Sequence, residues 1–480
     1  MGAQVVSVVV AGLGISGTAA ARALARRGEH VVVLESAQGE RQLAAAAELA
    51  PLGVEVRFGE PDDLPEGTSL VVVSPGWRPD HPLAAAARRA GIEVIGEVEL
   101  AWRLRGAHGA PWLAITGTNG KTTVVRMLTE MLTAAGHRAL AVGNVGVPIV
   151  AAVDGEKPAE GEKPAGGGKP AAERGAGPYD VLAVELSSFQ LHWSRSLAPF
   201  AAAVLNVAPD HLDWHGSLEE YAAAKALIYT DAQTVIYNAD DEWSTTLAAP
   251  YRGVGFTLGV PRPGQLGVVE DLLVDRAFTA DPAREAAELA SLADVRPFAP
   301  HNVANALAAA ALARAYGVPP EAVRRGLARF VPDPHRIAHV ATVRGVGYVD
   351  DSKATNPHAA AASLAAYRSV VWIAGGLLKG AEVDELVRLA APRLRGAVLL
   401  GADRDRVREA LARHAPDVPV VDVPGQDTGV MDRVVTEAAA LAAPGDTVLL
   451  APAGASLDMF TSYGARGEAF TAAVHRLAER

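Results

Sequence analysis

Residues 114–128 read AITGTNGKTTVVRML. The usual phosphate-binding loop places a glycine, four free residues and then Gly-Lys-Ser/Thr. Here Gly117 precedes Gly120 by only three positions, and Ile115 stands where the first glycine would fall. The surroundings are nevertheless those such a loop requires. An apolar strand, WLAIT, leads into it, and a helix, VVRMLTEMLTAAG, leads out of it. Glycines let backbone N–H groups wrap an anion, Lys121 supplies positive charge at the γ-phosphate end, and Thr122 can ligate Mg²⁺. Gly117, Thr118, Asn119, Gly120, Lys121, Thr122 and Thr123 are therefore the candidate ATP loop. A shortened strand–loop–helix of this kind commits the chain to an α/β fold.

Upstream, the strand VVSVVV runs into Gly12-Leu-Gly-Ile-Ser-Gly17, an Ala-rich helix to Arg27 and a second strand HVVVLE ending at Glu35. GxGxxG between a strand and a helix, with an acid closing the next strand, is the context of a dinucleotide or nucleotide-sugar site. The same glycines also serve a plain tight turn. Strands VEVRFGE, LVVVSPG and IEVIGE follow, alternating with helices to about Gly106.

Downstream, VLAVE ends in Glu185, whose carboxylate is expected to face the loop as a Walker-B acid does. DHLDWHG concentrates Asp210, His211, Asp213 and His215, residue types that suit either a metal site or a surface turn. Lys225, in YAAAKALIY, reads as an ordinary helix lysine. Residues 154–178 repeat a GEKPA-like unit with little to bury, which predicts a disordered surface insertion. From about Pro334, strands GVGYVDD, VVWIAGG, GAVLLGA, VPVVDV and DTVLLAPAG alternate with helices and predict another open, mostly parallel sheet. PHRIAHV, VDDSKATNP and APAGASLDMFTSYGARG fall at its strand ends or turns, as groups for a small anion or as simple polar turns.

The expected architecture is three α/β domains: a Rossmann-like domain over 1–106, a central P-loop ATPase domain over 107–333, and a C-terminal Rossmann-like domain over 334–480. Length agrees, since 480 residues accommodate about three domains of ~150 each. Half the residues are hydrophobic but only 5% aromatic, so the core must rest on Ala, Val and Leu. A net charge of −11 without a long Lys/Arg run argues against nucleic-acid binding. The absence of cysteine excludes disulfides, thiolate metal sites and a Cys nucleophile, and is compatible with the cytosol. The uncharged first 21 residues lack a basic n-region, and glycines interrupt the apolar run, so a signal peptide is not expected. No segment offers the ~18 consecutive apolar residues of a membrane span. A cytoplasmic protein is the expectation.

Taken together, TGTNGKTT, VGNVG, ELSSFQL, NVAPDHLDWHG, YAAAKALIY, YNADD, HNVANALAA and PHR resemble the Mur ligases in order and rough spacing. These are the ATP-dependent amide-forming enzymes of peptidoglycan precursor synthesis, and the likeness spans nearly the whole chain outside 154–178. The opening GLGISG and the segments DDSKATNP and ASLDMF resemble members that join D-glutamate to UDP-N-acetylmuramoyl-L-alanine. The resemblance implies an acyl-phosphate mechanism, ATP, two Mg²⁺ ions and a monomer without a nucleic-acid partner.

It also implies roles for particular residues. Lys121, Glu185, His211, Lys225 and Asn144 would be catalytic. Thr122 and Glu185 would hold one Mg²⁺, and His211 and a carbamylated Lys225 the second. Asn302, Asn305, Arg336 and Asp351 would face the nucleotide. Ile15, Ser16, Glu35, Ser36 and Gly76, with Asn144 and His211, would meet the UDP-sugar, and Lys379, Thr355, Ser456 and Tyr463 the D-glutamate. Tyr463 replaces the Phe common in the family, and Glu35 replaces an aspartate. The alternatives are a sister ligase for another amino acid, an NAD-dependent dehydrogenase, a P-loop kinase and a non-catalytic nucleotide-binding subunit. The dehydrogenase leaves Lys121, Glu185 and the His211 segment unexplained.

Overall fold

The computed structural model describes residues 7–59, 63–155, 178–425 and 429–479. Most of the expected 154–178 insertion lies outside these. Its first residue does not: Asp154 is only 10% exposed at its side chain and pairs with Arg26 and Arg27.

The described residues form three sheets. In the first, β1 (Ser7–Ala11), β2 (His30–Glu35), β3 (Glu55–Phe58), β4 (Thr68–Val73) and β5 (Glu93–Gly96) lie parallel in the order β3-β2-β1-β4-β5. The runs of Val in β1, β2 and β4 reflect burial on both faces, which removes the alternation of a half-exposed strand. Strand order reverses at β1, and the crevice beyond its carboxyl end is where such sheets bind ligands. GLGISG begins there.

The second sheet holds β6 (Trp112–Thr116), β7 (Ala139–Gly143), β8 (Val181–Glu185), β9 (Ala201–Val204), β10 (Thr234–Asn238), β11 (Val254–Phe256), β12 (Gln265–Val269), β13 (Leu272–Asp275) and β14 (Ala287–Ser291). Their order is β14-β13-β12-β11-β10-β9-β6-β8-β7, parallel except at the β12-β13-β14 edge, which is antiparallel. The third holds β15 (Ala338–Val343), β16 (Val346–Asp350), β17 (Val370–Gly375), β18 (Leu394–Leu400), β19 (Val420–Asp422) and β20 (Thr447–Ala453), ordered β15-β16-β20-β17-β18-β19. Only its β15–β16 pair is antiparallel.

By compactness the chain divides into two units. One comprises Met1–Val207, His211–Asp294 and Ala304–Phe330; the other comprises Ala208–Asp210, Val295–Val303 and Val331–Arg480. The first two sheets share the first unit. No helix among the described residues is long and apolar enough to cross a membrane.

Two buried carboxylates on the helix Glu97–Leu104 join the first sheet's layer to the second's. Glu97 accepts the N–H of Val150 at 2.7 Å. Glu99 accepts the N–H groups of Arg195 and Ser196 at 2.8 and 3.0 Å and the Ser196 hydroxyl at 2.6 Å. Burial drives Glu97 from 4.5 up to about 7, against the backbone N–H groups of Val150 and Ile149 that favour its charged form. The folded chain thus keeps this proton to higher pH than the unfolded chain does. Stability from this group falls as pH rises between about 4.5 and about 7 and is level above that. Glu97→Gln should erase that slope, gaining on the order of 3 kcal/mol relative to wild type across the window. Denaturant melts at pH 5 and pH 8 test this; a parallel pH dependence in both proteins would show that Glu97 folds ionised.

Candidate active site

In-register pairing builds the first half of the site. Ile115 on β6 lies opposite Glu185 at the end of β8, so the loop that follows β6 and the acid that closes β8 emerge side by side. Asn206, just beyond β9, clamps the loop. Its side-chain oxygen accepts the Asn119 N–H at 2.8 Å, its amide donates to the Asn119 carbonyl at 3.1 Å, and its own carbonyl accepts the Thr118 N–H at 3.0 Å. The loop opens the helix Lys121–Ala134, whose first-turn N–H groups and dipole favour an anion.

Two lysines meet at one atom. Lys121 Nζ donates to the Gly117 carbonyl at 2.8 Å and to that of Thr118 at 2.9 Å. Lys225 Nζ, on the helix Leu218–Ala226 and 1% exposed, donates to the same Gly117 carbonyl at 2.9 Å. Tyr221, one turn before Lys225, lays its ring 4.3 Å from Lys225 Nζ and sets its hydroxyl 3.2 Å from Thr118 Oγ1. Asn206 and Tyr221 lay within motifs read from the sequence, yet nothing in those motifs separated them from their neighbours. Their roles come from contacts across 87 and 103 residues.

Glu185 is buried, and one of its carboxylate oxygens accepts the Asn144 side-chain amide at 3.0 Å. The Asn144 N–H donates to the Glu185 carbonyl at 3.0 Å, which straps the VGNVG turn to the end of β8. The second carboxylate oxygen of Glu185 is buried and has no hydrogen-bond partner. A buried, half-satisfied carboxylate in register with the strand that leads into the loop suits a hard divalent cation with oxygen ligands.

The DHLDWHG segment behaves differently from a self-contained metal site. No group of three or more His, Asp or Glu side chains that could hold a metal ion assembles among the described residues. His211 sits exposed in left-handed backbone at the start of the turn Leu212–His215, its ring edge-on to Phe189 at 4.8 Å. The turn carries His215 inward, where its ring nitrogen meets the Ser188 hydroxyl at 2.9 Å. Burial, with help from the charge of Lys225, lowers His215 to about 4, so it stays neutral. Asp213 is exposed.

At the first sheet, Ile15 is 81% exposed at the start of the helix Ile15–Arg26. A cavity of about 630 Å³ opens there, lined by Gly14, Ile15, Arg22, Arg41 and Val147 among others. Ser16, Glu35, Ser36 and Gly76 are not among its lining residues. Both Glu35 oxygens are engaged, one by the Leu13 N–H at 2.6 Å and one by the Ala37 N–H at 2.8 Å. The acid expected to meet a ribose or base thus also fixes the glycine-rich turn.

Within the second unit, Asn302 donates to the Pro297 carbonyl at 3.0 Å, and Arg336 pairs with Asp333 at 3.4 Å. Asp351 is buried, accepts from Ser363, and is pushed up by that burial to about 6. Lys379 is exposed, with left-handed backbone, in the turn after β17. Ser456 is buried after β20, and Thr355 lies in the loop after β16. Tyr463 begins the helix Tyr463–Ala478 with its ring under Lys353 Nζ at 3.9 Å. At 38% exposure this tyrosine avoids the penalty a buried hydroxyl would carry.

A shortened phosphate loop, a strand-end acid and α/β modules before and after it define a phosphoryl-handling enzyme of modular build. Three family descriptions match in succession: "Mur ligase MurD-like, N-terminal domain" over residues 6–96, "Mur ligase middle domain" over 115–313, and "Mur ligase, glutamate ligase domain" over 335–454. The UDP-N-acetylmuramoylalanine–D-glutamate ligase of Thermobifida fusca is 62% identical over 476 residues, 98% of each chain. Its namesake in Streptomyces coelicolor is 60% identical over 480 residues, again 98% of each. Among solved structures, a pseudomurein peptide ligase type C from Methanothermus fervidus superposes with a TM-score of 0.57 at 17% identity, covering 98% of this chain and 99% of that one. UDP-N-acetylmuramate-alanine ligase from Thermotoga maritima gives 0.55 at 19% identity, with the same coverage. The chain belongs to the Mur ligase family.

Gly120 is the tightest point of the loop. Its φ is +86°, and a Cβ there would lie 2.3 Å from Asn305 Oδ1. Strain of this kind costs roughly 1–3 kcal/mol. Gly120→Ala should therefore weaken ATP binding on the order of tenfold. Nucleotide titration of the variant checks it, and wild-type affinity would show that the loop yields without cost.

Proposed function

We propose that this chain joins D-glutamate to UDP-N-acetylmuramoyl-L-alanine at the expense of ATP, in peptidoglycan precursor synthesis. One observation carries the substrate choice: relatives named for this activity are about 60% identical along 98% of both chains. The geometry around Gly117 supports the chemistry. The terminal carboxylate of the nucleotide-sugar substrate attacks the γ-phosphorus of ATP, the bond to the ADP oxygen breaks, and an acyl phosphate forms. The amine of D-glutamate then attacks the acyl carbon, a tetrahedral intermediate collapses, and phosphate leaves as the amide forms.

Bringing two anions together calls above all for positioning and neutralisation of charge. Lys121 would meet the γ-phosphoryl oxygens, while the loop amides and the helix N-terminus hold the β-phosphate. Thr122 and Glu185 would hold one Mg²⁺, and His211 and Lys225 a second. The ions, when bound, supply concentrated positive charge at the phosphates. Asn144 would hold the acyl side, and its bond to Glu185 fixes where it stands.

Carbamylation of Lys225 has a physical motive in this site. Two ammonium groups sharing the Gly117 carbonyl repel one another in a poorly solvated pocket. Converting one of them to a carbamate removes that repulsion and creates oxygen ligands for a cation. In the second unit, Asn302, Arg336 and Asp351 would serve the nucleotide, as would Asn305 in the first. Lys379, Thr355, Ser456 and Tyr463 would receive D-glutamate. A cytoplasmic monomer completes the reading.

The test is phosphate release with ATP, Mg²⁺ and UDP-N-acetylmuramoyl-L-alanine, offering D-Glu, L-Glu, meso-diaminopimelate, L-Lys or no amino acid. Release dependent on D-Glu, with a product one glutamyl residue heavier, is expected. Dependence on another amino acid would move the chain to a sister activity, and silence across the panel would overturn the proposal. Lys225→Ala should lose nearly all turnover and recover part of it with a small carboxylic acid such as acetate. A variant that keeps wild-type turnover would remove Lys225 from the metal site.

A further inference from the structure

We infer that Arg466 is the positioning residue of the D-glutamate subsite, because its one buried guanidinium ties together the loops that carry Thr355, Lys379, Ser456 and Tyr463. This rests on the functional reading above. Arg466 stands one turn into the helix Tyr463–Ala478 and is 2% exposed. Its Nε donates to Ser352 Oγ at 2.9 Å, and one terminal nitrogen donates to the Ser352 carbonyl at 2.9 Å. Ser352 is three residues before Thr355. The other terminal nitrogen donates to the Gly454 carbonyl at 3.0 Å, two residues before Ser456.

The third loop is reached by close packing. The backbone of Gly376, three residues before Lys379, lies against Arg466, such that a Cβ on Gly376 would sit 3.2 Å from that same nitrogen. Gly376 is in turn held to the Ser456 loop: Leu377 and Ala455 exchange N–H···O bonds at 2.8 Å in both directions. The circle closes at the helix, since the Ser352 hydroxyl donates to the Tyr463 carbonyl at 2.7 Å. Three of the subsite residues thus sit on loops and the fourth at the start of the helix, and their mutual spacing runs through one side chain.

Charge and shape both call for arginine here. Burial lowers the Arg466 guanidinium to about 10, with the Asp458 and Asp350 carboxylates acting in the opposite direction. Asp350 is shared with His335, whose Nδ1 lies 2.6 Å away. Three acceptors in two directions match a planar fork, and a lysine ammonium on a flexible stem cannot span them at once. The acceptors are two carbonyls and one hydroxyl with backbone duties of their own, so the guanidinium works as scaffold and leaves D-glutamate to the residues on the loops.

Arg466→Lys keeps the charge and loses the fork. The KM for D-glutamate should rise about tenfold or more, as expected when reacting groups shift by a fraction of an ångström. The KM values for ATP and UDP-N-acetylmuramoyl-L-alanine should stay within about twofold of wild type. Ser352→Ala removes the hydroxyl between Arg466 and Tyr463 and should raise the KM for D-glutamate in the same direction by a smaller factor. If Arg466→Lys shows no cooperative melt, Ser352→Ala decides alone. Folded variants with an unchanged KM for D-glutamate, or with all three KM values raised equally, overturn the inference while wild-type activity upholds the functional reading. A wild type that releases no phosphate with D-glutamate overturns both.

Discussion

The carbonyl oxygen of Gly117 receives two ammonium donors, from Lys121 and Lys225, and the central site is arranged around that convergence. Two like charges at one acceptor disfavour each other, and an arriving anion would relieve that repulsion. The loop shape follows from the same demand. Losing residues from the usual phosphate loop brings Gly117 and Gly120 close enough for Asn206 to grip the peptide between them from both sides. Lys225 reaches the loop because the helix Leu218–Ala226 packs its buried face beneath it, with Tyr221 as spacer. A lysine that would pass for solvated in sequence becomes one of the largest fully buried side chains of the protein.

How far sequence reading reached depended on whether local pattern or long-range contact set the structure. The long parallel strands announced themselves because burial on both faces writes an uninterrupted apolar run, as in VVVA of β1 and VVWIAG of β17. The antiparallel edge β12–β14 left no comparable trace. Its strands are four or five residues, and one of them, AELAS, is composed of residues that favour helix, so cross-strand pairing overrides propensity there. The strand–loop–helix around Gly117 and the place of Glu185 at a strand end were legible since both are local signals. Asn206, Tyr221 and Arg466 were not. Each acts across roughly a hundred residues of chain, and an asparagine, a tyrosine or an arginine in a helix has many duller explanations.

The DHLDWHG segment shows the limit of reading chemistry from residue type. Four potential ligands in six residues suit a metal site or a surface turn alike, and the short turn that contains them points its members in different directions. Left-handed backbone at His211 keeps that ring outward, while the turn delivers His215 to Ser188 and the Phe189 ring. The proposed second ion therefore draws its protein ligands from two neighbouring segments, His211 just before the turn Leu212–His215 and Lys225 in the helix Leu218–Ala226 that follows. Metal-ligand spacing would not reveal such a pair.

The two units solve the placement of charge by opposite means. In the first, two lysines converge on the Gly117 carbonyl, and a Glu185 oxygen is left without a hydrogen-bond partner. The proposed function completes that site with phosphates and cations. In the second, Arg466 spends its donors on backbone and hydroxyl oxygens, with Asp350 and Asp458 supplying the countercharge. That cation is already satisfied, so its energy goes into fixing loop positions. The unpartnered Glu185 oxygen suits a ligand that supplies the missing partner, and the satisfied Arg466 charge holds its neighbouring loops still.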